Sequence, residues 1–200
     1  MKTLAIFTFL VVLSAVASAT IVRGVSVEEL YNESSIVISG EIESGRVLPE
    51  DCGVAYTVRV EHTYKGDSKL GDALTVEMYG PAQVGAKYFF FLSETTEEFR
   101  PLLSTNSGAM NRRAEFLERC KDVRPDFTVN IWGNGALKIT GTYNGSVKEA
   151  VVFDDYLVKP DKSLKVTTLG PHDRYDNDRN DSGMDLSEFS EYLEQLSGTD

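Results

Sequence analysis

Beyond its first twenty residues, the chain is dominated by short runs in which apolar and polar residues alternate. Within residues 55–64, three alternate positions are apolar, namely Tyr56, Val58 and Val60. The positions that follow each of them are polar, namely Thr57, Arg59 and Glu61. A period of two residues is typical of a half-buried strand. Similar runs at residues 36–42 and 74–78 predict two more strands. Several such strands within about 70 residues, separated by glycine and polar turns, indicate a small barrel or sandwich.

One run differs from the others because it does not alternate. Residues 88–92 read Tyr-Phe-Phe-Phe-Leu, which is short, aromatic and continuously apolar. A strand buried on both faces fits this pattern better than a helix of five residues.

Three segments have helical signals. Ser26 and Glu29 form a capping-box pattern that predicts a short helix ending near Asn32. Residues 109–120 carry apolar side chains at helical spacing among charges. Asp185 is placed to cap a C-terminal helix, whose apolar stripe predicts one buried face. The stripe consists of Leu186, Phe189, Leu193 and Leu196.

A second β-rich stretch covers residues 128–158. It contains apolar runs at 128–132, 136–143 and 150–158. An Asn-Gly turn begins at Asn144, and this dipeptide favours a hairpin because both residues tolerate a positive φ. The pattern predicts a three-stranded meander, which either packs on the first barrel or forms a separate lobe.

The first nineteen residues have the pattern of a secretory signal peptide. A positive start at Lys2 is followed by an apolar run over residues 4–16, and Ala17 and Ala19 frame a small-residue cleavage pattern. Cleavage after Ala19 would start the mature chain at Thr20. The apolar run is shorter than the 20 or so residues of a membrane span. We therefore expect a secreted or periplasmic protein without a membrane span.

The remaining chain divides by pattern into three parts. We expect the barrel with its flanking helices in residues 20–122, the meander in 123–170, and an acidic segment with the C-terminal helix in 171–200. The whole prediction is a mainly β protein with short helices.

The two cysteines are Cys52 and Cys120. An oxidising compartment favours a bridge between them. It would close a loop of about 69 residues and restrict the unfolded chain by roughly 4 kcal/mol. Two free thiols or an intermolecular bridge are the alternatives. A metal site on the cysteines is disfavoured because neither His62 nor His172 has ligand spacing to them.

Charge excludes several classes of partner. The chain has 20 basic and 31 acidic residues, a formal net charge of −11. Proteins that bind nucleic acid carry a basic face, and anionic membranes also attract basic segments. We expect neither kind of partner.

The acidic segment offers a candidate calcium site. Asp176, Asp178, Asn180 and Asp181 supply the oxygen ligands that calcium prefers, shortly before a helix. The register of an EF-hand fails, because a loop starting at Asp178 has Phe189 at its last ligand position. A solvated acidic linker is the competing interpretation, and no other cofactor is indicated.

Catalytic signals are weak. The sequence lacks a nucleophile elbow, a zinc-protease helix motif and a phosphate-binding glycine loop. His62 follows the parity of the strand's apolar face, so we expect it to be partly buried. Glu41 and Glu43 lie two apart on one strand, a common arrangement on solvated sheet faces. We therefore expect a protein that is not an enzyme.

The first β-rich region resembles the netrin-module/TIMP-like group of secreted domains, including its uncharacterised bacterial type. The resemblance covers residues 26–92 and rests on short structural motifs. These read IVISGEI at 36–42, AYTVRV at 55–60, TYKGD at 63–67, LTV at 74–76 and VGAKYFFFL at 84–92. It implies a five-stranded OB-type barrel.

The inhibitory residue of that group has no counterpart in this chain. Metalloproteinase inhibitors of the group place an N-terminal cysteine on the catalytic zinc, whereas the first cysteine here is Cys52. We expect a non-enzymatic protein that binds a protein or a cell-surface ligand. The alternatives are a protease inhibitor acting through a loop and a calcium-binding extracytoplasmic protein.

Overall fold

The computed structural model describes residues 24–66, 71–78, 82–95, 115, 118–130, 134–141, 149–153, 157–171 and 180–198. The predicted signal peptide lies outside these residues. The helices are α1 (Val27–Glu33), a 3-10 turn (Pro49–Asp51) and α2 (Leu186–Ser197). The strands are β1 (Val25–Ser26), β2 (Ile36–Val47), β3 (Val54–Lys65), β4 (Ala73–Glu77), β5 (Lys87–Glu94), β6 (Phe127–Val129), β7 (Ala136–Thr140), β8 (Ala150–Phe153), β9 (Val158–Lys159), β10 (Thr167–Pro171) and β11 (Asn180–Asp185).

Five strands close into a barrel. Around the barrel, the order is β2, β3, β4, β6 and β5, and β5 returns to β2. Every pairing is antiparallel except that between β4 and β6, where Val76 faces Phe127 and Glu77 faces Thr128. A five-stranded Greek-key barrel closed by one parallel pair is the OB-type fold. The predicted barrel is therefore confirmed.

Strand β5 belongs both to the barrel and to an extension of the sheet. On one edge it pairs with β2. On the other edge its first half, Lys87 to Phe90, pairs with β7, and its end, from Leu92 to Glu94, pairs with β6. From β7 the sheet continues through β8 and β11 to β10.

This arrangement corrects the strand assignment of the predicted meander. Strands β7 and β8 pair as expected. The first predicted strand, at residues 128–132, instead provides β6, which closes the barrel. The meander was wrong at this strand because apolar alternation does not say which neighbour a strand chooses.

The end of the acidic segment is also more ordered than predicted. Residues 180–185 form β11, which pairs with both β10 and β8. The sequence pattern predicts only an acidic segment before the C-terminal helix. The backbone pairing of β11 with two neighbours accounts for the strand despite its low hydrophobicity.

The barrel interior forms one core. Its members come from inward-facing positions of the barrel strands and are almost fully excluded from solvent. They include Ile38, Ile42, Val58, Val76, Phe90 and Leu92.

A second core lies between the outside of the sheet and the two helices. Here Phe89 and Phe91 of β5 meet Phe189 of α2, with the rings of Phe89 and Phe189 4.8 Å apart. Because alternate residues of β5 enter the two cores, this strand is buried on both faces, as its continuous apolar run predicts.

Both helix starts have the predicted caps. The Ser26 hydroxyl accepts from the Glu29 N–H, and the Glu29 carboxylate accepts from the Ser26 N–H. Asp185 caps α2 by accepting from the N–H groups of Ser187 and Glu188. The predicted helix at residues 109–120 lies mostly outside the described residues. Within that range, only residues 115 and 118–120 are described, and these are helical.

Asp161 links the two helices. Its Oδ2 accepts from the Glu28 N–H of α1 at 3.1 Å and from the Tyr192 hydroxyl of α2 at 2.7 Å. Burial, followed by this hydrogen bond, raises the pKa of Tyr192 well above its ordinary value. The contact therefore ties the first turn of α1 to the middle of α2.

Candidate binding loop at the disulfide

A disulfide joins two connections of the barrel. Cys52 lies between β2 and β3, the first two barrel strands in chain order. Cys120 lies between β5 and β6, the last two. Their Cα atoms are 5.5 Å apart, and both residues are fully buried. The predicted intramolecular bridge is confirmed. These are the two connections through which OB-type folds commonly bind ligands.

The first connection is a tight loop of residues 48–53, which we call the anchored loop. The Leu48 N–H donates to the Gly53 carbonyl at 2.9 Å, so the loop is closed at its base. Leu48 and Cys52 point inward and are buried, whereas Pro49 and Glu50 are exposed. The buried ends hold the exposed tip in one position.

Glu50 has an unusual backbone at the tip of the anchored loop. Its φ is 55°, and no other described non-glycine residue has a positive φ. Such a backbone costs of order 1–3 kcal/mol and persists only where surrounding contacts impose it. Strained residues of this kind cluster at functional sites.

A buried ion pair lies beneath the anchored loop. The Glu77 side chain is fully buried on β4, and the Arg124 side chain is 4% exposed. Arg124 Nη2 and Nε lie 2.6 and 2.8 Å from Glu77 Oε2. The Arg124 N–H also donates to the Cys120 carbonyl. The pair therefore ties β4 to residues 118–124, the covering segment.

Gly53 is required at the base of the anchored loop for two reasons. Its φ is 106°, and a Cβ at this position would lie 3.3 Å from Glu77 Oε1. No described residue donates a hydrogen bond to that oxygen. The loop backbone and the buried carboxylate are thus in close contact.

Glu41 and Glu43, which were expected on a solvated sheet face, contact an arginine. Arg59 of β3 lies 2.6 Å from Glu41, 3.3 Å from Glu43 and 3.8 Å from Glu61. Glu61 also contacts Lys87, and this hydrogen bond raises the pKa of the lysine. Glu41 and Glu43 therefore belong to a solvated ion-pair network.

His62 is not where strand parity predicts it. The register between β2 and β3 shifts where Ser39 faces His62 and Gly40 faces Val60. A bulge turns the following side chains to the other face of the sheet. The His62 side chain is consequently 52% exposed, beside Tyr64 and 3.9 Å from Glu194. His172 lies outside the described residues.

The candidate calcium ligands are only partly placed. Asp176 and Asp178 lie outside the described residues. Asn180 and Asp181 belong to β11, where they face Pro171 and Gly170 of β10. In the part of the chain that the structure describes, no group of three acidic, histidine or cysteine residues has metal-binding geometry. The calcium site stays a prediction.

Sequence reasoning did not identify Glu77, Arg124 or Glu50. Glu77 occupies a polar position of an alternating strand, which is the usual signature of a solvated face. Its burial depends on residues 118–124, more than forty positions away. The proximity of Arg124 to Cys120 in the sequence was the available signal.

No protein-family model matches this sequence, and no curated protein matches it. None of the described helices has the length and apolar character needed to cross a bilayer.

Proposed function

We propose that this is a non-enzymatic extracytoplasmic protein that binds a protein partner through the anchored loop. The observation that carries the proposal is Glu50, held at φ 55° between Cys52 and the closed loop base. Glu50 is exposed at the tip of the loop, so its unusual backbone conformation determines which groups the loop presents to a partner.

Rigidity of the loop supports a binding role. A loop already fixed in one conformation loses little entropy when it binds. Three contacts fix this one: the Leu48 to Gly53 hydrogen bond, the disulfide, and the close approach of Gly53 to Glu77. Functional loops on rigid scaffolds are the usual means of recognition in small β domains.

Three arguments support an extracytoplasmic location. A buried disulfide is typical of proteins that fold in an oxidising compartment. The predicted signal peptide with cleavage after Ala19 agrees with it. The resemblance to netrin-module/TIMP-like domains, which are secreted, supports the same location and is consistent with the OB-type barrel.

Protease inhibition is the second candidate function, and it uses the same loop. An inhibitory loop must resist cleavage, and a loop closed between a hydrogen bond and a disulfide is held against the local opening that cleavage needs. The N-terminal cysteine of the metalloproteinase inhibitors has no counterpart, so this inhibition would act through Pro49 and Glu50.

Differential capture tests the binding proposal. Wild-type protein, Glu50→Lys and Glu33→Lys are immobilised and exposed to the native extracytoplasmic fraction. Glu33 is an exposed glutamate at the end of α1, so it controls for the charge change. We expect wild type and Glu33→Lys to retain a partner that Glu50→Lys loses. Equal capture by all three, or no reproducible partner, contradicts the proposal.

Titration against representative metalloproteases and serine proteases separates the two functions. Inhibition by wild type that Glu50→Lys abolishes would identify the partner as a protease. Flat activity curves at micromolar protein would exclude inhibition of these protease classes and leave the binding proposal to the capture experiment.

A further inference from the structure

Strand β2 is longer than the strand that covers its outer edge. It pairs with β5 only from Ile36 to Glu41. At Ile42 the turn before β5 takes over, since the Ile42 N–H donates to the Ala86 carbonyl and the Gly85 N–H donates to the Ile42 carbonyl. From residue 43 onward, no described strand pairs with this edge.

The uncovered part of β2 is residues 43–47, which we call the open edge. All five residues are exposed, and on their other side residues 44–47 pair with β3, whereas Glu43 lies at the register shift between Ile42 and Ser44. Unpaired N–H and C=O groups on such an edge can bond to another strand. Of the features that protect edges in natural proteins, the open edge lacks lysine and proline, but it carries the charges of Glu43 and Arg46 and begins at a register shift.

The open edge is also held in a fixed register. Gly45 faces Tyr56 of β3, and a Cβ at Gly45 would lie 2.8 Å from the Tyr56 ring. The disulfide at Cys52 anchors the end of the hairpin. A rigid edge pairs at a lower entropic cost than a mobile one.

We propose that the open edge pairs with the open edge of a second copy of this chain. The two strands run antiparallel about a two-fold axis centred on Gly45. In a two-fold interface, the same surface must be complementary to itself. The sequence Glu-Ser-Gly-Arg-Val at residues 43–47 has this property.

Charge complementarity selects a second copy as the occupant. With Gly45 at the centre, Arg46 lies opposite Ser44 of the second copy. Glu43 of that copy precedes Ser44 on the same exposed face, where it also contacts its own Arg59 at 3.3 Å, and the arrangement occurs twice. Arg46 and Ser44 share the outer face of the sheet, because they face Ala55 and Thr57 of β3. Arg46 forms no ion pair with a described residue, so its guanidinium is available to the second copy.

Two exposed valines lie at the same edge. Among the described residues, the large apolar side chains that are most exposed are Val47, at 78%, and Val84, at 57%. Val84 belongs to the turn that bonds to Ile42. The pairing brings Val47 alongside residue 43 of the second copy, next to the turn that carries its Val84. Both valines then lose contact with water.

This inference does not rest on the proposed function. The open edge pairs through its backbone, whereas the anchored loop presents Pro49 and Glu50 beyond the paired residues. Loss of dimerisation and loss of the captured partner are therefore separate results, measured on different variants.

Sedimentation velocity of the oxidised mature chain, residues 20–200, tests the pairing. The measurement uses 0.15 M salt because the net charge of residues 20–200, which is −12 after the loss of Lys2 from the −11 of the whole chain, opposes association and is screened beyond about 8 Å there. We expect a dimer that forms with concentration. Arg46→Glu and Glu43→Arg each create like-charge contacts and should weaken the dimer about tenfold. The double variant with both substitutions should restore it.

Independent variants protect the test against misfolding. Val84→Asp lies on another element and should also weaken the dimer, whereas Val166→Asp, at an exposed valine near β10, should not. Thermal unfolding confirms that each variant is folded. A wild-type chain that is monomeric at about 100 µM overturns the proposal. A dimer that ignores Arg46→Glu, or one that the double variant does not restore, overturns it as well.

Discussion

Arg124 and Glu77 form an ion pair that is almost completely removed from water. Their closest atoms, Nη2 and Oε2, are 2.6 Å apart. Since Arg124 also bonds to the Cys120 carbonyl, the pair and the disulfide hold the covering segment at neighbouring points. Next to these two links, a small buried cluster joins the anchored loop, β3 and the covering segment. It consists of Leu48, Cys52, Ala55 and Cys120.

Removal of one partner of this ion pair should be strongly destabilising. Glu77→Ala leaves the Arg124 charge buried without its carboxylate, so we expect a loss of about 3–5 kcal/mol in the free energy of unfolding. The double variant Glu77→Met with Arg124→Leu removes both charges and should lie much nearer wild type. Urea denaturation measures both. A loss below about 1 kcal/mol in Glu77→Ala would show that the charge is hydrated.

Reduction of the disulfide should destabilise the protein. We expect a loss of about 2–5 kcal/mol, because the bridge restrains the unfolded chain. Cys52→Ser with Cys120→Ser should reproduce this loss under oxidising conditions. Intact mass should be two hydrogens below the reduced value before reductant is added. Thiols that react in the untreated protein would contradict the bridge.

The N-cap at Asp185 should give stability a dependence on acid pH. The Ser187 hydroxyl lowers the pKa of Asp185 from 3.8, and the N–H groups of Ser187 and Glu188 lower it further. Because the folded pKa is the lower one, the stabilisation is present above pH 3.8 and is lost as pH falls through the folded value.

Two substitutions at Asp185 separate capping from charge. Asp185→Ala should cost about 0.5–2 kcal/mol near neutral pH. Asp185→Asn keeps a capping oxygen and should differ little from wild type there, but it should lose the acid dependence. Thermal unfolding between pH 3 and 7 checks both. Identical acid profiles for wild type and Asp185→Asn would contradict the assignment.

Tyr192 should give the opposite dependence at alkaline pH. Burial and the hydrogen bond to Asp161 raise its pKa above 10.0. The unfolded phenol ionises first, so the contribution of Tyr192 is complete below pH 10 and declines as pH rises toward the folded pKa. Tyr192→Phe should cost about 1 kcal/mol at neutral pH. Denaturation of both proteins should show this difference shrinking above pH 10.

Calcium binding to the acidic segment should be weak and should not discriminate against magnesium. This expectation treats Asp176, Asp178, Asn180 and Asp181 as a solvated linker, because exposed charges are screened within about 8–10 Å at physiological salt. Calorimetric titration in 0.15 M salt measures it. A saturable calcium isotherm that Asp178→Ala abolishes would establish a formed site.

The sequence predicts local structure well where the pattern depends on neighbouring residues. The capping box at Ser26, the cap at Asp185 and the strand buried on both faces at residues 88–92 all follow from local pattern. The closing role of β6 could not be predicted, because its three residues pair with strands that precede them by more than thirty positions.

The candidate site was less accessible to sequence reasoning than the fold. The bridge between Cys52 and Cys120 was expected from compartment chemistry. The burial of Glu77 depends on the covering segment, and the positive φ of Glu50 depends on loop contacts that include the disulfide to that segment, so no local sequence pattern encodes either feature. Strand parity puts His62 on the wrong face because one extra residue in β3 reverses the alternation.

The position of β6 in the chain also determines when the barrel can close during synthesis. A ribosome that has released the first four barrel strands has still not supplied the strand that joins β4 to β5. Both edges stay open until residues 127–129 emerge, and cotranslational folding of the barrel must wait for them. Cys120 lies shortly before these residues in the chain, so both cysteines are present just before the barrel can close.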